Sequence, residues 1–196
     1  MNLAFDHPQA RIAFDAVVIL FVLSEVRVRR RSDRVSQGSR LDHRTSLVVR
    51  VTLLVGLVGA ILLARKAPGL EIAKNSWPLF VTGLILMCAG IAIRQWALVT
   101  LGRFFTIDVR VQSDQTVVQN GPYRWVRHPS YTGLILTFLG LGLALGNWGA
   151  LAVAAVLPTA GLVYRIHFEE RALLDSLGEP YRRYAESRKR LVPGIW

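Results

Sequence analysis

The run of apolar residues from Gly133 to Ile166 limits the possible folds more than any other stretch of the chain. It holds about 34 residues, whereas about 20 helical residues are enough to cross a bilayer once. The sequence GNWG interrupts it at Gly146–Gly149, and such Gly- and Asn-containing pairs are typical of turns. The run therefore predicts a helical hairpin with helices over Gly133–Leu145 and Trp148–Ile166, the first of which is short for a full crossing.

Three shorter apolar segments precede this hairpin, at Ile12–Val26, Leu47–Ala64 and Trp77–Ile93. The third can extend as a helix to Leu101. Hydrophobic residues make up 52% of the chain and charged residues 19%, compared with about 25% in soluble proteins. The sequence thus predicts an all-α, polytopic integral membrane protein with about five transmembrane helices. It fits one domain, with three helices in residues 1–101 and the hairpin in residues 102–196. No strand is predicted, although Phe105–Val111 alternates weakly and could be extended.

Basic residues cluster in three blocks between the apolar segments and give the chain a net charge of +11. Eight lie from Arg27 to Arg50, five from Arg94 to Arg127 and seven from Arg165 to Arg190. Positive residues favour the cytoplasmic face and anionic lipid headgroups, and the three blocks share one face only if Gly133–Ile166 is a hairpin. We therefore expect an N-terminus outside, a cytoplasmic segment Gly102–Tyr131, a cytoplasmic tail, and a lipid bilayer rather than nucleic acid as partner.

The C-terminal tail has a helical periodicity of its own. Its apolar residues recur about one turn apart, at Phe168, Ala172, Leu173 and Leu177. Gly178 should end this helix. A second short helix is expected over Pro180–Lys189, with Tyr181 and Tyr184 on one face.

The stretch NGPYRWVRHPSYTGL (Asn120–Leu134) concentrates polar and aromatic side chains at the start of the hairpin. Its Gly-Pro pair predicts a turn, and Pro129 fits the first turn of a helix, where its missing N–H costs nothing. The free N–H groups of that helix start would point at His128 and Ser130 and favour an anion such as a carboxylate, with Arg127 adding positive charge. Such residues also anchor helices at the membrane surface, so an interfacial anchor is the alternative.

A second polar cluster, YRIHFEERALL (Tyr164–Leu174), follows the hairpin. Arg165 and Glu169 are four residues apart and share a helix face, as a functional pair or as a simple ion pair at a helix end. Glu170 is expected to face elsewhere and to be solvated. His167 lacks further ligands at metal-binding spacing, so no metal site is predicted. Both clusters are expected on the cytoplasmic side and can form one pocket, and no GxGxxG or Walker motif is present.

These motifs follow one order along the chain. V-x-x-G-P-Y-x-x-x-R-H-P-x-Y-x-G is followed by the hairpin and then by R-x-x-x-E-E-x-x-L-x-x-x-x-G-x-x-Y-x-x-Y. In this sequence the pattern occupies Val118–Tyr123, Arg127–Gly133, Arg165–Glu170, Leu173, Gly178, Tyr181 and Tyr184. It resembles the isoprenylcysteine carboxyl methyltransferase family, which belongs to a wider group with the phospholipid N-methyltransferases. The resemblance extends roughly from Phe104 to the end, about half of the chain.

This resemblance implies a membrane enzyme that uses S-adenosylmethionine, bound in a cytoplasmic pocket that C-terminal helices close. Carried over by position, the cofactor contacts are Gln115, Thr116, Val117, Val118, Tyr123, His128, Pro129, Ser130, Tyr131 and Glu169. Arg165 would bind the acceptor, and the catalytic group would comprise Arg165, Glu169 and Arg127. Arg110 is a candidate for a further contact. Residues 102–196 would then be the cofactor-binding and catalytic half.

The acceptor that the resemblance implies is a lipophilic carboxylate such as a prenylcysteine. A carboxylate is already charged and needs no general base, and a site shielded from water favours its reaction with a sulfonium. Arg165 would hold it by a charge-assisted hydrogen bond, while the acceptor enters from the bilayer and the cofactor from the cytoplasm. The alternatives are a phospholipid amine or a small thiol as acceptor, an NADPH-dependent membrane reductase, and a membrane scaffold without enzymatic activity.

Overall fold

The computed structural model describes residues 7–35, 44–72, 77–105 and 115–196 of the chain. This part contains the helices α1 (Pro8–Val35), α2 (Arg44–Lys66), α3 (Trp77–Leu101), α4 (Pro129–Leu145), α5 (Trp148–Leu177) and α6 (Glu179–Ser187). Short 3-10 turns lie at Pro68–Leu70, Gly102–Phe104 and Gly121–Arg124. Since no strand occurs in these ranges, the prediction of an all-α protein is confirmed.

The predicted hairpin is present, and α4 and α5 are joined at Gly146 and Asn147. Gly146 ends α4 with a φ of 62°, in the left-handed region that favours glycine. The buried Asn147 side chain accepts a hydrogen bond from the N–H of Ala150 at 3.0 Å and donates one to the carbonyl of Ala67 at 2.8 Å. α4 begins at Pro129, as the position of this proline predicted.

Three helical segments of the described ranges are long and apolar enough to cross a membrane: α2, α5 and Trp77–Phe104, which contains α3. α4 is apolar but has only 17 residues, in agreement with the short first arm expected for the hairpin. α1 has 28 residues but is not among the three, because charged residues interrupt its apolar first part and arginines fill its second half. The chain is thus an integral membrane protein, and the count of about five crossings stays a prediction.

α3 and α4 cross with their backbones in contact, because glycines face each other at two places. A Cβ atom on Gly90 would lie 2.5 Å from the carbonyl oxygen of Gly133, and one on Gly83 would lie 2.6 Å from that of Gly140. Residues with a side chain do not allow so close an approach. The crossing therefore fixes the start of α4, which carries the first polar cluster, against the end of α3.

α2 packs along α5, and α1 lies at the edge of the bundle. Phe14 and Phe21 of α1 are buried, and the ring of Phe21 meets that of Phe138 edge-on, with centroids 5.8 Å apart. Other apolar side chains of α1, including Ile12 and Leu23, are more than half exposed. An apolar surface of this kind suits contact with lipid.

The C-terminal helices follow the predicted outline. α5 continues without a break to Leu177, and Gly178 separates it from α6 with a φ of 58°. α6 ends slightly earlier than predicted, at Ser187, and buries Tyr181 and Tyr184 on one face as expected.

After α6 the chain returns to the start of the hairpin, which the sequence did not predict. The backbone of Lys189 lies beside Val126, and the hydroxyl of Thr132 donates to the carbonyl of Leu191 at 2.8 Å. The tail thereby covers one side of the first polar cluster. Of the expected extended segment Phe105–Val111, only Phe105 lies within the described residues, and its backbone is extended.

Candidate active site

A cavity lies where the start of α4, the end of α5 and α6 meet, and we call it the helix-end cavity. All predicted site residues except Pro129 line it, namely Gln115, Thr116, Val117, Val118, Tyr123, Arg127, His128, Ser130, Tyr131, Arg165 and Glu169. Pro129 is buried at the first position of α4, where it starts the helix. Arg110 lies outside the described residues. The two polar clusters were expected to form one pocket, and their residues do line the same cavity.

Tyr131 connects the two clusters. Its hydroxyl donates to Oε2 of Glu169 at 2.5 Å and accepts from Nε of Arg165 at 2.7 Å. The expected pair of Arg165 and Glu169 is present, with Nε and Oε2 3.7 Å apart, and the tyrosine hydroxyl bridges it. Nη1 of Arg165 donates to the hydroxyl of Ser46 on α2 at 3.0 Å. These bonds fix the direction of the guanidinium of Arg165, a residue that is 5% exposed.

His128 lies flat against the ring of Tyr131, with centroids 5.5 Å apart and an angle of 6° between the rings. Its Nε2 is 3.2 Å from Oε1 of Glu170. The imidazole is therefore held on one face by an aromatic ring and at one edge by a carboxylate. Because the ring is buried, this arrangement leaves it little freedom to turn.

The prediction that Glu170 is solvated was wrong. Glu170 is buried, and besides His128 it meets Nη2 of Arg127 at 2.9 Å and Nη2 of Arg190 at 2.9 Å. Its neighbour Glu169 faces the cavity, and one step of about 100° along the helix turns Glu170 away from the cavity, toward the back of His128 and Arg127. There the returning tail supplies Arg190, and the backbone N–H of Arg127 donates to the carbonyl of Lys189 at 2.8 Å.

Two buried donors in the walls of the helix-end cavity have no protein partner among the described residues. They are Nε of Arg127 and the hydroxyl of Tyr181. Nη1 of Arg127 is taken by the carbonyl of Ala185 at 2.6 Å, which ties the loop before α4 to α6. Burial raises the pKa of the Tyr181 hydroxyl, so it stays protonated at neutral pH and can donate. Buried donors without a partner are costly, which favours a polar ligand in this cavity.

A second cavity of about 310 Å³, here called the apolar groove, lies between α1 and α2 and extends to α4 and α5. Its walls are mostly apolar and include Phe21, Leu53, Leu57, Leu134 and Phe138. It shares Phe105, Tyr131 and Arg165 with the helix-end cavity. A cavity with polar groups and a lipid-like groove therefore meet at one arginine and one tyrosine.

Sequence reasoning missed Arg94, which lines the apolar groove. This arginine near the end of α3 is 6% exposed and donates to Glu25 at 2.5 and 2.8 Å and to the hydroxyl of Ser130 at 2.7 Å. It entered the sequence argument only as part of a basic block. Its position directly after the apolar run Trp77–Ile93 was the available signal, because a charge inside a membrane helix needs a partner or a function.

Comparison with known proteins supports the family resemblance. Residues 83–175 match the model of the isoprenylcysteine carboxyl methyltransferase family. Protein-S-isoprenylcysteine O-methyltransferase A of Arabidopsis thaliana is 35% identical over 130 residues, which are 65% of this chain and 64% of that protein. The protein-S-isoprenylcysteine O-methyltransferase of Schizosaccharomyces pombe is 28% identical over 93% of this chain and 81% of its own length.

The fold has a solved counterpart. A structure of a eukaryotic intramembrane Ras methyltransferase, an isoprenylcysteine carboxyl methyltransferase, superposes with a TM-score of 0.71 at 22% identity and covers 98% of this chain and 70% of that one. The chain therefore shares the helical fold of that structure. Residues 83–175 match the isoprenylcysteine carboxyl methyltransferase family, which supports the resemblance seen in the motifs.

Proposed function

We propose that the protein transfers a methyl group from S-adenosylmethionine to the carboxylate of a lipophilic, prenylcysteine-like acceptor in the membrane. The products would be a methyl ester and S-adenosylhomocysteine. One observation carries this proposal: the helix-end cavity and the apolar groove share Tyr131 and Arg165. A water-soluble donor and a membrane-dissolved acceptor need such a common boundary in order to react.

The helix-end cavity has groups that fit S-adenosylmethionine. Glu169 offers a carboxylate for its ammonium group or a ribose hydroxyl, and the unused donors of Arg127 and Tyr181 suit its carboxylate. The stacked rings of His128 and Tyr131 form a rigid wall beside them. When bound, the cofactor supplies a methyl group on a positively charged sulfur. The protein holds and orients it, which is a main source of rate in a displacement reaction.

Arg165 is placed to orient the acceptor. Its Nε is held by Tyr131 and one Nη by Ser46, so the guanidinium presents a fixed charge at the boundary of the groove. A carboxylate at that place is already ionised and needs no general base. The apolar walls exclude water and so favour the combination of a carboxylate with a sulfonium into neutral products. The catalytic contribution of Arg165, Glu169 and Arg127 is then positioning and charge.

Charge supports a cytoplasmic active site. The three basic blocks favour a cytoplasmic position for the loop before α4 and the C-terminal tail, and S-adenosylmethionine is dissolved on that side. The match spans 64% of the length of the Arabidopsis relative, so the acceptor is proposed from the site and not taken from that protein.

The test is methyl transfer from labelled S-adenosylmethionine to N-acetyl-S-farnesylcysteine by protein in lipid nanodiscs. Arg165→Gln should lower kcat/KM by about 100-fold, since a charge-assisted hydrogen bond is worth up to about 3 kcal/mol. Arg171→Gln is the matched control, because Arg171 is an exposed arginine on the same helix. The rate should change little near neutral pH, whereas an amine acceptor must first lose a proton.

Two results would contradict the proposal. One is methylation of phosphatidylethanolamine or a small thiol, with a rate that rises with pH, and no labelled ester. The other is NADPH-dependent reduction of a sterol by a protein that does not bind S-adenosylmethionine.

A further inference from the structure

Arg94 is, besides Arg165, the second buried arginine that lines the apolar groove, and it already holds a carboxylate. Its Nε and Nη2 donate to the two oxygens of Glu25 at 2.5 and 2.8 Å, the paired geometry that arginine forms with any carboxylate. Its Nη1 donates to the hydroxyl of Ser130 at 2.7 Å. Ser130 and Tyr131 are neighbours at the start of α4, and each holds one arginine of the groove, Arg94 and Arg165.

The two partners of this ion pair are held unequally. Arg94 lies one turn beyond Gly90, in the backbone contact of α3 with α4, and its side chain is 8% exposed. Glu25 belongs to α1 at the edge of the bundle, and its side chain is 26% exposed. The arginine is therefore the fixed member of the pair and the glutamate the member that can leave.

Glu25 also has another cation within reach. Arg29 lies four residues later on α1, and both residues line the apolar groove. A glutamate four residues before an arginine is the favoured order for an ion pair on one helix face. If another carboxylate takes Arg94, Glu25 can therefore turn to Arg29 instead of losing its ion pair.

We propose that Arg94 is a recognition residue for the acceptor's carboxylate, and that Glu25 is a built-in competitor that occupies Arg94 while the groove is empty. This inference rests on the proposed function, because it requires a carboxylate acceptor. An unpaired arginine in an apolar groove would be costly, and Glu25 removes that cost until the acceptor arrives. The methyl ester has no charge for Arg94, so the return of Glu25 favours the departure of product.

The experiment compares the binding of an acid with that of its ester. Dissociation constants of N-acetyl-S-farnesylcysteine and of its methyl ester are measured by calorimetry for the wild type, Glu25→Gln, Arg94→Gln and Asp15→Asn. Asp15 is an exposed acid on the same helix and serves as the matched control. Glu25→Gln should bind the acid about 10-fold more tightly and the ester equally well, because an internal competitor is removed.

Arg94→Gln should bind the acid about 10-fold more weakly, with a smaller change for the ester. The proposal is overturned if Glu25→Gln leaves the ratio of acid to ester affinity unchanged or lowers it, as expected of a purely structural ion pair. If Glu25→Gln does not fold, Glu25→Asp keeps the charge with a shorter reach and should raise the ratio by a smaller factor. An unchanged ratio in that variant counts against the proposal equally.

Failure of the proposed function would look different. Binding is measured without turnover, so a wild type that prefers the acid but never methylates it would refute the reaction and leave the Arg94 site standing. A wild type that methylates the acid, together with the same ratio of acid to ester affinity in every variant, would refute the role of Arg94 and Glu25 and leave the reaction standing.

Discussion

The helix-end cavity and the apolar groove are built in contrasting ways. Behind one wall of the cavity, a network of hydrogen bonds and ion pairs around Glu170 and Arg127 joins the loop before α4, α5, α6 and the returning tail. The groove has mostly apolar walls, and its outer wall α1 is an edge helix with the ion pair of Glu25 and Arg94 as a link to the bundle. A fixed network suits a ligand that never varies, while apolar walls suit a flexible lipid chain.

The crossing of α3 and α4 supports both regions, so disrupting it should have the largest effect. Gly90→Ala places a methyl group 2.5 Å from a backbone oxygen of α4. We expect a loss of about 3 kcal/mol in stability, as for severe overpacking, and loss of binding at both sites. Gly69→Ala is the control, because a Cβ there has no atom within 4 Å. Equal melting temperatures for the two variants in detergent would show that the contact is not tight.

Glu170→Gln should break the network of the cavity and leave the groove intact. Arg127, His128 and Arg190 would lose their shared carboxylate, and we expect about 30-fold weaker binding of S-adenosylhomocysteine. Binding of the farnesylated acid should stay within about twofold, since Glu170 does not line the groove. Glu179→Gln, which removes an exposed ion pair of α6, is the control and should change neither affinity. A loss of acid binding as large as that of cofactor binding would mean that the two regions are not separate.

Tyr131→Phe tests the boundary between the helix-end cavity and the apolar groove. The change removes the hydroxyl that joins Arg165 to Glu169 and keeps the ring that stacks on His128. We expect kcat to fall about 10-fold, the loss of roughly one hydrogen bond to a charged group, with little change in the affinity for S-adenosylhomocysteine. A change in that affinity alone, at unchanged kcat, would assign Tyr131 to the cavity and not to the boundary.

Leu53→Ala should have the smallest effect, and only on the groove. Leu53 is part of its apolar wall, and loss of roughly 1 kcal/mol of apolar contact raises the KM for the farnesylated acid about fivefold. The affinity for S-adenosylhomocysteine should not change. A KM that stays constant as apolar wall residues are shortened would mean that the acceptor's chain lies elsewhere.

Features set by neighbouring residues could be predicted from the sequence. The turn at Gly146, the helix start at Pro129 and the pairing of Arg165 with Glu169 depend on local spacing, and the structure has all three. The cofactor and acceptor roles came from the family motif, and the structure brings most of those residues into one cavity without testing the roles.

Features set by distant residues could not be predicted. The surroundings of Glu170 depend on the tail's return to Val126, and the burial of Arg94 depends on Glu25 of another helix. The local spacing around Glu170 and Arg94 does not show which distant residues they contact. The count of about five membrane crossings stays a prediction, because α1 combines apolar residues with many charged ones.

The central claim is that the helix-end cavity binds a methyl donor. The most direct measurement is calorimetric titration of the purified protein with S-adenosylhomocysteine and, separately, with NADPH, repeated for His128→Ala and Glu169→Ala. The account predicts saturable binding of S-adenosylhomocysteine that both substitutions weaken, and no binding of NADPH. A folded wild-type protein that binds NADPH, or that does not bind S-adenosylhomocysteine, would contradict it.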